Sequence, residues 1–162
     1  MAGASMKDIK LRIKSVESTM QITKAMELVA SSKLRKAKER QERCRPYFTG
    51  LKQTLASIET ATHDFSSPYQ QHREVKKRCL IVIAGDRGLA GGYNSNVFKS
   101  VLPLLREGPV CVLPIGKRTV EFFARNDVEM LTTEFAEAAS VSVADCFTIS
   151  NLVTQGYLSG QY

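Results

Sequence analysis

A glycine-rich segment at residues 85–92 is the first place where this sequence could do chemistry. It reads Gly-Asp-Arg-Gly-Leu-Ala-Gly-Gly and lies between an apolar run and a helical pattern, which is the setting of a phosphate-binding loop. A dinucleotide loop needs G-x-G-x-x-G, and a nucleoside-triphosphate loop needs G-x-x-x-x-G-K followed by Ser or Thr; neither spacing occurs. The segment therefore predicts a tight turn with unusual backbone angles. At its tip, Asp86 and Arg87 are candidates for either a charged contact with a partner or a local salt bridge.

The four cysteines and two histidines do not indicate a metal or redox centre. No CxxC motif occurs, and two cysteines lie within apolar runs, so we expect buried, reduced thiols at Cys44, Cys79, Cys111 and Cys146. His63 and His72 lie in a polar stretch with no cysteine nearby. No G-x-S-x-G or comparable nucleophile setting occurs. We predict no catalytic residue, no metal and no cofactor.

The net charge of +7 is confined to one end of the chain. The first 45 residues hold 12 basic and 5 acidic residues, whereas residues 46–162 hold 11 of each. Residues 4–45 contain no Gly and no Pro, so nothing there interrupts a helix. A long basic helix favours an acidic partner, which could be nucleic acid, anionic lipid or an acidic protein surface.

Apolar residues along this helix alternate in steps of four and three, which predicts a coiled-coil seam. Seven of nine positions are apolar in the series Ile9, Ile13, Val16, Met20, Thr23, Glu27, Ala30, Leu34 and Ala37. The spacing resumes at Phe48, Leu51, Leu55 and Ile58. We therefore expect one protruding helix over residues 5–61, about 85 Å long, that is kinked rather than ended by Pro46.

The remaining pattern predicts an α/β fold with a parallel sheet, because continuous apolar strands alternate with helices. Strands are expected at residues 79–84 and 110–115, with a shorter third strand at 129–133. Helices are expected from a cap at Asn94 or Ser95 to about residue 105, at 117–126 and at 141–157. We predict a protruding basic coiled-coil helix over 1–62, a polar linker over 63–77, and a Rossmann-like domain over 78–162. A sheet of three strands is thin for this architecture, so we expect the domain to be incomplete at its C-terminal end.

Two motifs resemble those of a known family. Residues 22–35, Ile-Thr-Lys-Ala-Met-Glu-Leu-Val-Ala-Ser-Ser-Lys-Leu-Arg, follow Ile-Lys-Ser-Val at 13–16 and resemble the N-terminal signature of the γ subunit of F-type ATP synthases. Residues 86–94, Asp-Arg-Gly-Leu-Ala-Gly-Gly-Tyr-Asn, resemble the second motif of that family, with Ala90 where Cys is usual. The resemblance covers the whole chain.

The resemblance implies a non-catalytic rotor shaft. In the family, the N-terminal helix pairs antiparallel with a C-terminal helix inside a ring of three α and three β subunits, while the α/β domain lies near the ε subunit and the membrane c-ring. Proton flow turns the shaft, which sets the nucleotide affinity of each β subunit in turn. The implied seam contacts are Ile9, Ile13, Val16, Met20, Ala30 and Leu34. The implied contacts on the β-subunit side are Lys24, Met26, Lys33, Arg35 and Lys36.

This resemblance further implies a peripheral position at the cytoplasmic face of a bacterial plasma membrane, with no nucleic acid and no small-molecule substrate.

The residues alone leave two alternatives open. A basic coiled-coil nucleic-acid-binding protein is one, although in leucine-zipper factors the basic stretch precedes the heptads. A small nucleotide-binding enzyme is the other, and it would need a ligand at residues 85–92. Without the family's partner helix, the seam is exposed apolar surface, and we expect self-association or fraying.

Overall fold

The computed structural model describes residues 5–61, 67–69 and 73–162, which belong to two compact units, Met1–Phe65 and Ser66–Tyr162. Both histidines, His63 and His72, lie outside the described residues, as does much of the predicted linker at 63–77. The fold is mixed α/β with a long N-terminal helix and a parallel sheet, which confirms the predicted fold class.

The first unit is a single helix, α1, which runs over Met6–Ala61 and has 56 residues. At about 1.5 Å per residue it is about 84 Å long. Its start is organised by short polar side chains: the backbone N–H of Ser5 donates to Asp8 Oδ2 at 3.3 Å, and that of Lys7 donates to Ser5 Oγ at 3.3 Å. The Asp8 carboxylate also lies at the positive end of the helix dipole. No residue of α1 is buried.

Helix α1 continues through Pro46, as predicted. A proline inside a helix removes one backbone hydrogen bond and crowds the carbonyl four residues earlier. The helix nevertheless runs on to Ala61, and beyond the proline Thr54 Oγ1 donates to Gly50 O and Ser57 Oγ donates to Gln53 O, both at 2.9 Å. One proline therefore does not divide the element.

The second unit is built on two parallel strands. Strand β1 is Arg78–Ile83 and β2 is Val110–Ile115, paired in a register that runs from Arg78 opposite Val110 to Ile83 opposite Ile115. The connection between them holds helix α2, Tyr93–Val101, and a 3₁₀ helix, Leu104–Arg106. After β2 come α3, Lys117–Arg125, a second 3₁₀ helix, Ala138–Ser140, and α4, Val143–Leu158.

Apolar side chains pack on both faces of this sheet. On one face, Val82 and Val112 meet Val101 and Phe123 from α2 and α3. On the other face, Leu113 and Ile115 of β2 pack with Phe135 and with residues of α4. Strand β2 is almost wholly buried, because side chains cover it on both faces, and this explains why its sequence is continuously apolar.

Strand β1 is less covered than β2. Ile81 and Ile83 are 49% and 54% exposed, and their register partners are the buried Leu113 and Ile115. Helix α4 therefore covers this face of the sheet at β2 but leaves the same face about half exposed at β1.

Two local predictions were wrong. The segment 129–133 is not a strand: it touches the sheet at a single bridge, where Val112 pairs with Met130, and it then turns. Only two backbone bonds hold it, Val112 N to Glu129 O and Leu131 N to Val112 O, both at 2.9 Å. The sheet over the described residues therefore has two strands instead of three.

The second correction concerns the start of α2. The helix begins at Tyr93 with Gly92 as its cap, and no side chain caps it. It ends at Val101, before Pro103, so Leu105 falls in the separate 3₁₀ turn. Asn94 does not cap the helix because its side chain bonds to the preceding loop. By contrast, Ser142 and Asp145 form a complete capping box at α4, whose start differs by two residues from the predicted one.

Candidate functional site

The most extensive candidate surface is the apolar seam of α1. We define the seam as the residues in unbroken alternating steps of four and three along the helix: Met6, Ile9, Ile13, Val16, Met20, Thr23, Glu27, Ala30, Leu34, Ala37, Gln41, Cys44, Phe48, Leu51, Leu55 and Ile58. The spacing passes through Pro46 without a change of step. A strict 3.5-residue repeat over this length is typical of a left-handed supercoil with another helix.

The six predicted seam contacts all lie on this one stripe, and all are exposed. Val16 and Met20 are 62% and 64% exposed, and Leu34 is 57% exposed. Sequence analysis missed that Met6, Gln41 and Cys44 keep the same spacing, although the signal was available in the step count. Apolar side chains repeated at this spacing on an exposed helix form the recognition surface of a coiled coil.

Three polar residues interrupt the apolar seam around its middle: Thr23, Glu27 and Gln41. The Thr23 hydroxyl donates to Thr19 O at 2.9 Å, so its polar atom is satisfied within the helix. Glu27 is the only charged residue in the seam, and it forms no ion pair among the residues that the structure describes. A partner must therefore accommodate one carboxylate at this level.

The predicted contacts toward β subunits flank the seam. At about 100° per residue, Lys24 lies beside the seam on one side, and Met26 and Lys33 lie beside it on the other. Arg35 and Lys36 lie further round, one on each of these two sides. Arg35 is the only one of them near a carboxylate within the described ranges, at 4.0 Å from Glu39, and both of those side chains are more than half exposed. Such a pair contributes little. These cations are available to an external acidic surface, and their contact with β subunits stays a prediction.

The second candidate surface is the loop at residues 85–92, whose first residues are held by side-chain hydrogen bonds. Its first end is fixed by Asn94, whose Oδ1 accepts from Gly85 N at 2.9 Å and whose Nδ2 donates to Arg87 O at 3.4 Å. Sequence analysis took Asn94 for a helix cap, because the same residue type serves both purposes. Only the fold brings its amide against the loop.

Asp86 connects this loop to the segment after β2. Its Oδ1 accepts from Ala138 N at 2.7 Å and from Lys117 N at 3.3 Å, and its Oδ2 accepts from Ala139 N at 3.0 Å. Burial raises the pKa of this carboxyl, but the three backbone N–H groups and the nearby Arg87 charge outweigh burial and hold the pKa below its ordinary value. Asp86 therefore organises the turns at the carboxyl ends of both strands.

The close approach of these turns requires glycine at position 116. Gly116 has φ of 101°, and a Cβ there would overlap the Ala84 carbonyl. Its N–H donates to Phe135 O at 2.9 Å. The arrangement thus ties β1, β2 and the segment before α4 together at one end of the sheet.

The tip of the loop is exposed. Leu89 is 94% exposed and has φ of 60°, a conformation that a leucine rarely adopts. Arg87 is exposed as well, and it forms no ion pair within the described part of the chain. Whether Asp86 and Arg87 touch a partner stays a prediction; the observed bonds show that the Asp86 carboxylate is already occupied by backbone.

The prediction of four buried thiols was half wrong. Cys111 is buried and Cys79 is half-buried, but Cys44 and Cys146 are exposed because their helices leave those faces uncovered. Cys79 and Cys111 are register partners on the sheet. Burial, followed by the neighbouring Cys111, raises the pKa of the Cys79 thiol to about 12. This thiol is therefore a poor nucleophile at neutral pH.

Within residues 5–61, 67–69 and 73–162, no group of three or more His, Cys, Asp or Glu side chains could hold a metal ion. No helix in those ranges combines the length and apolar character needed to cross a bilayer.

Comparison with known proteins identifies the family. The family model described as ATP synthase matches residues 5–162. The ATP synthase γ chain of Ruminococcus albus is 44% identical over 164 residues, covering 98% of this chain and 57% of the relative. That of Alkaliphilus metalliredigens is 48% identical over 149 residues, covering 88% of this chain and 50% of the relative.

A third relative, from Acetobacterium woodii, is named as a sodium-ion-specific ATP synthase γ chain; it is 38% identical over 159 residues, covering 98% of this chain and 53% of the relative. The chain spans about half the length of the curated relatives it matches. The heptad seam, the basic flanks and the loop at residues 85–92 thus occur in a chain that belongs to the ATP synthase γ-chain family.

Proposed function

We propose that this chain forms the central shaft of a rotary ATP synthase, as part of a γ subunit that turns inside a ring of three α and three β subunits. The observation that carries the proposal is α1: a helix of 56 residues with no buried side chain and a heptad spacing that keeps its step from Met6 to Ile58. A helix of this kind is stabilised mainly by what packs on it, because propensity alone gives little stability in water. Its function therefore depends on surfaces outside the described residues.

The mechanical requirements of a shaft fit α1. Torque transmission needs stiffness, and α1 has neither Gly nor Pro before Pro46. Rotation also needs contacts that break and re-form at every step. Exposed ion pairs are worth about 0–1 kcal/mol each, so a basic surface turning against acidic partners meets no deep energy minimum. Lys24, Lys33, Arg35 and Lys36, together with Met26, are the proposed contacts to the β subunits.

The α/β unit has a different proposed role. Its loop at residues 85–92, held by hydrogen bonds of Asp86 and Asn94, exposes Arg87 and Leu89 at the end of the sheet. We assign this unit to the membrane-proximal end of the shaft, next to the ε subunit and the c-ring. The chain itself is proposed to be non-catalytic, peripheral at the cytoplasmic face of a bacterial plasma membrane, and coupled to ion flow through the c-ring.

Capture by the α and β subunits tests the proposal. The chain would be co-expressed with both subunits, pulled down by a tag and washed in a salt series from about 0.1 to 1 M, over which the Debye length falls from about 10 to 3 Å. We expect both subunits to be captured at low salt and progressively lost at high salt. No capture at any salt concentration, by this chain or by a chain of the relatives' full length, would overturn the shaft assignment.

A further inference from the structure

Two cysteines lie opposite each other on the parallel sheet. Cys79 of β1 and Cys111 of β2 are register partners. Neighbouring strands lie about 4.7–4.9 Å apart, and disulfide bonds join residues whose Cα atoms are about 4.4–6.8 Å apart. The two partners also share one face of the sheet, the face on which Leu113 and Ile115 pack. Strand pairing therefore brings the two thiols to a separation that a disulfide bond can span.

The two thiols are close enough to influence each other. Burial, and after it the neighbouring Cys111, raises the pKa of the Cys79 thiol to about 12, and burial also raises the pKa of Cys111. The Cys111 Sγ donates a long hydrogen bond, 3.7 Å, to Arg78 O. A thiol is a weak donor, so little stabilisation is lost when this hydrogen bond is replaced by a covalent one.

The surroundings of the pair favour oxidation over metal binding. Cys111 is fully buried, whereas Cys79 is half-buried because this face of the sheet is partly open at β1. In the part of the chain that the structure describes, no third His, Cys, Asp or Glu joins the two thiols to form a possible metal site. Zinc sites in proteins use three or four protein ligands. Two thiols by themselves can instead form a covalent bond, and the half-buried Cys79 is the one that an oxidant reaches first.

We propose that Cys79 and Cys111 form a reversible disulfide that joins β1 to β2, with a low-molecular-weight disulfide such as oxidised glutathione as the oxidant. The Cys79 thiolate attacks one sulfur of the small disulfide, which gives a mixed disulfide and releases one small thiol. The Cys111 thiolate then attacks the Cys79 sulfur, so that the Sγ–Sγ bond forms and the second small thiol leaves. The two protein thiols together lose two electrons and two protons, and the two released thiols carry them. The proposal goes beyond the shaft function and does not depend on it.

The bond has consequences for the stability of the α/β unit and for the rate of its own formation. It closes a loop of about 30 residues, which restricts the unfolded chain and raises stability, less any strain from joining adjacent strands. Its formation is slow at neutral pH because the Cys79 thiol is almost entirely protonated there. The reduced pair therefore survives a brief exposure to oxidant and is converted only by a sustained one.

Peptide mapping after sustained oxidation tests the proposal. The whole chain carries Cys44→Ser and Cys146→Ser, which removes the exposed thiols and the disulfides that they could form between copies. It is incubated with oxidised glutathione at about pH 8.5, near the ordinary thiol pKa, then quenched with acid, digested and mapped by mass spectrometry. We expect one crosslinked peptide pair that joins positions 79 and 111 and is reversed by reduced glutathione. The Tm of the α/β unit should rise by about 10 °C on oxidation.

Cys79→Ser in the same background is the matched control, because it replaces only the half-buried thiol and leaves Cys111 without a partner. It should form no crosslink, and its Tm should be the same with and without oxidant. A parallel series contains urea below the unfolding midpoint, which lets the unit open transiently, so that slow access of the oxidant cannot hide a stable bond. The proposal is overturned if Cys79 and Cys111 stay reduced throughout that series or carry separate glutathione adducts. An equal rise in Tm in the control variant would overturn it as well.

Discussion

Replacing Asp86 by Asn removes the charge at the point where the two strand ends are tied together. The carboxylate accepts two short backbone bonds, 2.7 Å from Ala138 N and 3.0 Å from Ala139 N, and a longer one from Lys117 N. A hydrogen bond to a charged group contributes about 1.5–3 kcal/mol net. An Asn side chain keeps one acceptor oxygen but turns an N–H group toward the other donors. Allowing for the partial exposure of this carboxylate, we expect a loss of about 2 kcal/mol in the free energy of unfolding.

The effect has a defined pH dependence. The pKa of Asp86 in the folded unit is below its ordinary value of 3.8, so its stabilisation is fully present above that value and is lost as pH falls through the folded pKa. The difference in stability between the native chain and Asp86→Asn should therefore be constant near neutral pH and shrink in acid. For a unit of roughly 100 residues, 2 kcal/mol corresponds to about 8–16 °C in Tm.

Near-ultraviolet circular dichroism is a suitable assay, because it reports tyrosine packing in the α/β unit while far-ultraviolet signal is dominated by α1. Glu134→Gln is the control, since it neutralises an exposed carboxylate of the same unit. An unchanged Tm in Asp86→Asn, or a gap to the native chain that widens in acid, would refute the reasoning.

Three further predictions concern the helix surface, the core and the thiols. Replacing Lys33, Arg35 and Lys36 by alanine should weaken the capture of α and β subunits and reduce its salt dependence. The control, in which Lys7, Lys10 and Lys14 are replaced by alanine, should show a smaller effect. Equal effects in both triple variants would argue against a localised contact. Phe123→Ala should cost about 3–5 kcal/mol in urea unfolding, because Phe123 is fully buried between α3 and the sheet. A loss of less than about 1 kcal/mol in the free energy of unfolding would contradict the place of Phe123 in the core. Maleimide should rapidly label the exposed thiols, Cys44 and Cys146, in the folded chain. It should label the sheet thiols, Cys79 and Cys111, only after unfolding, because the fold raises the pKa of both. Rapid labelling of all four in the folded chain would contradict the packing of β1 against β2.

Local patterns predicted the elements well where one interaction dominates. The heptad spacing and the absence of Gly and Pro before Pro46 predicted α1, and continuous apolar runs predicted β1 and β2 to within one residue. The third strand, predicted at 129–133, was wrong because in that segment only Met130 reaches a bridge, with Val112. Whether a short apolar segment pairs as a strand depends on where the neighbouring strand lies, which composition does not encode.

The roles of polar residues were predicted less well than the elements. Asn94 next to a helix start suggests a cap, and Asp86 at a loop tip suggests a surface charge. The structure instead has Asn94 bonded to Gly85 and Arg87, and Asp86 bonded to residues more than 30 positions away. Polar side chains can make several kinds of hydrogen bond, so the choice between them is made by distant backbone.

What the sequence by itself determined is the periodicity of α1, its charge and the positions of the two strands, because each follows from the spacing and type of neighbouring residues. Only the tertiary structure decided which faces are covered. Cys111 is buried and Cys146 is exposed, because β2 is packed on both faces and α4 on one. Likewise, Asp86 is a structural anchor and not a free charge because Gly116 allows the two strand ends to approach. Burial and long-range hydrogen bonds depend on which elements meet in space, and that is a property of the whole fold.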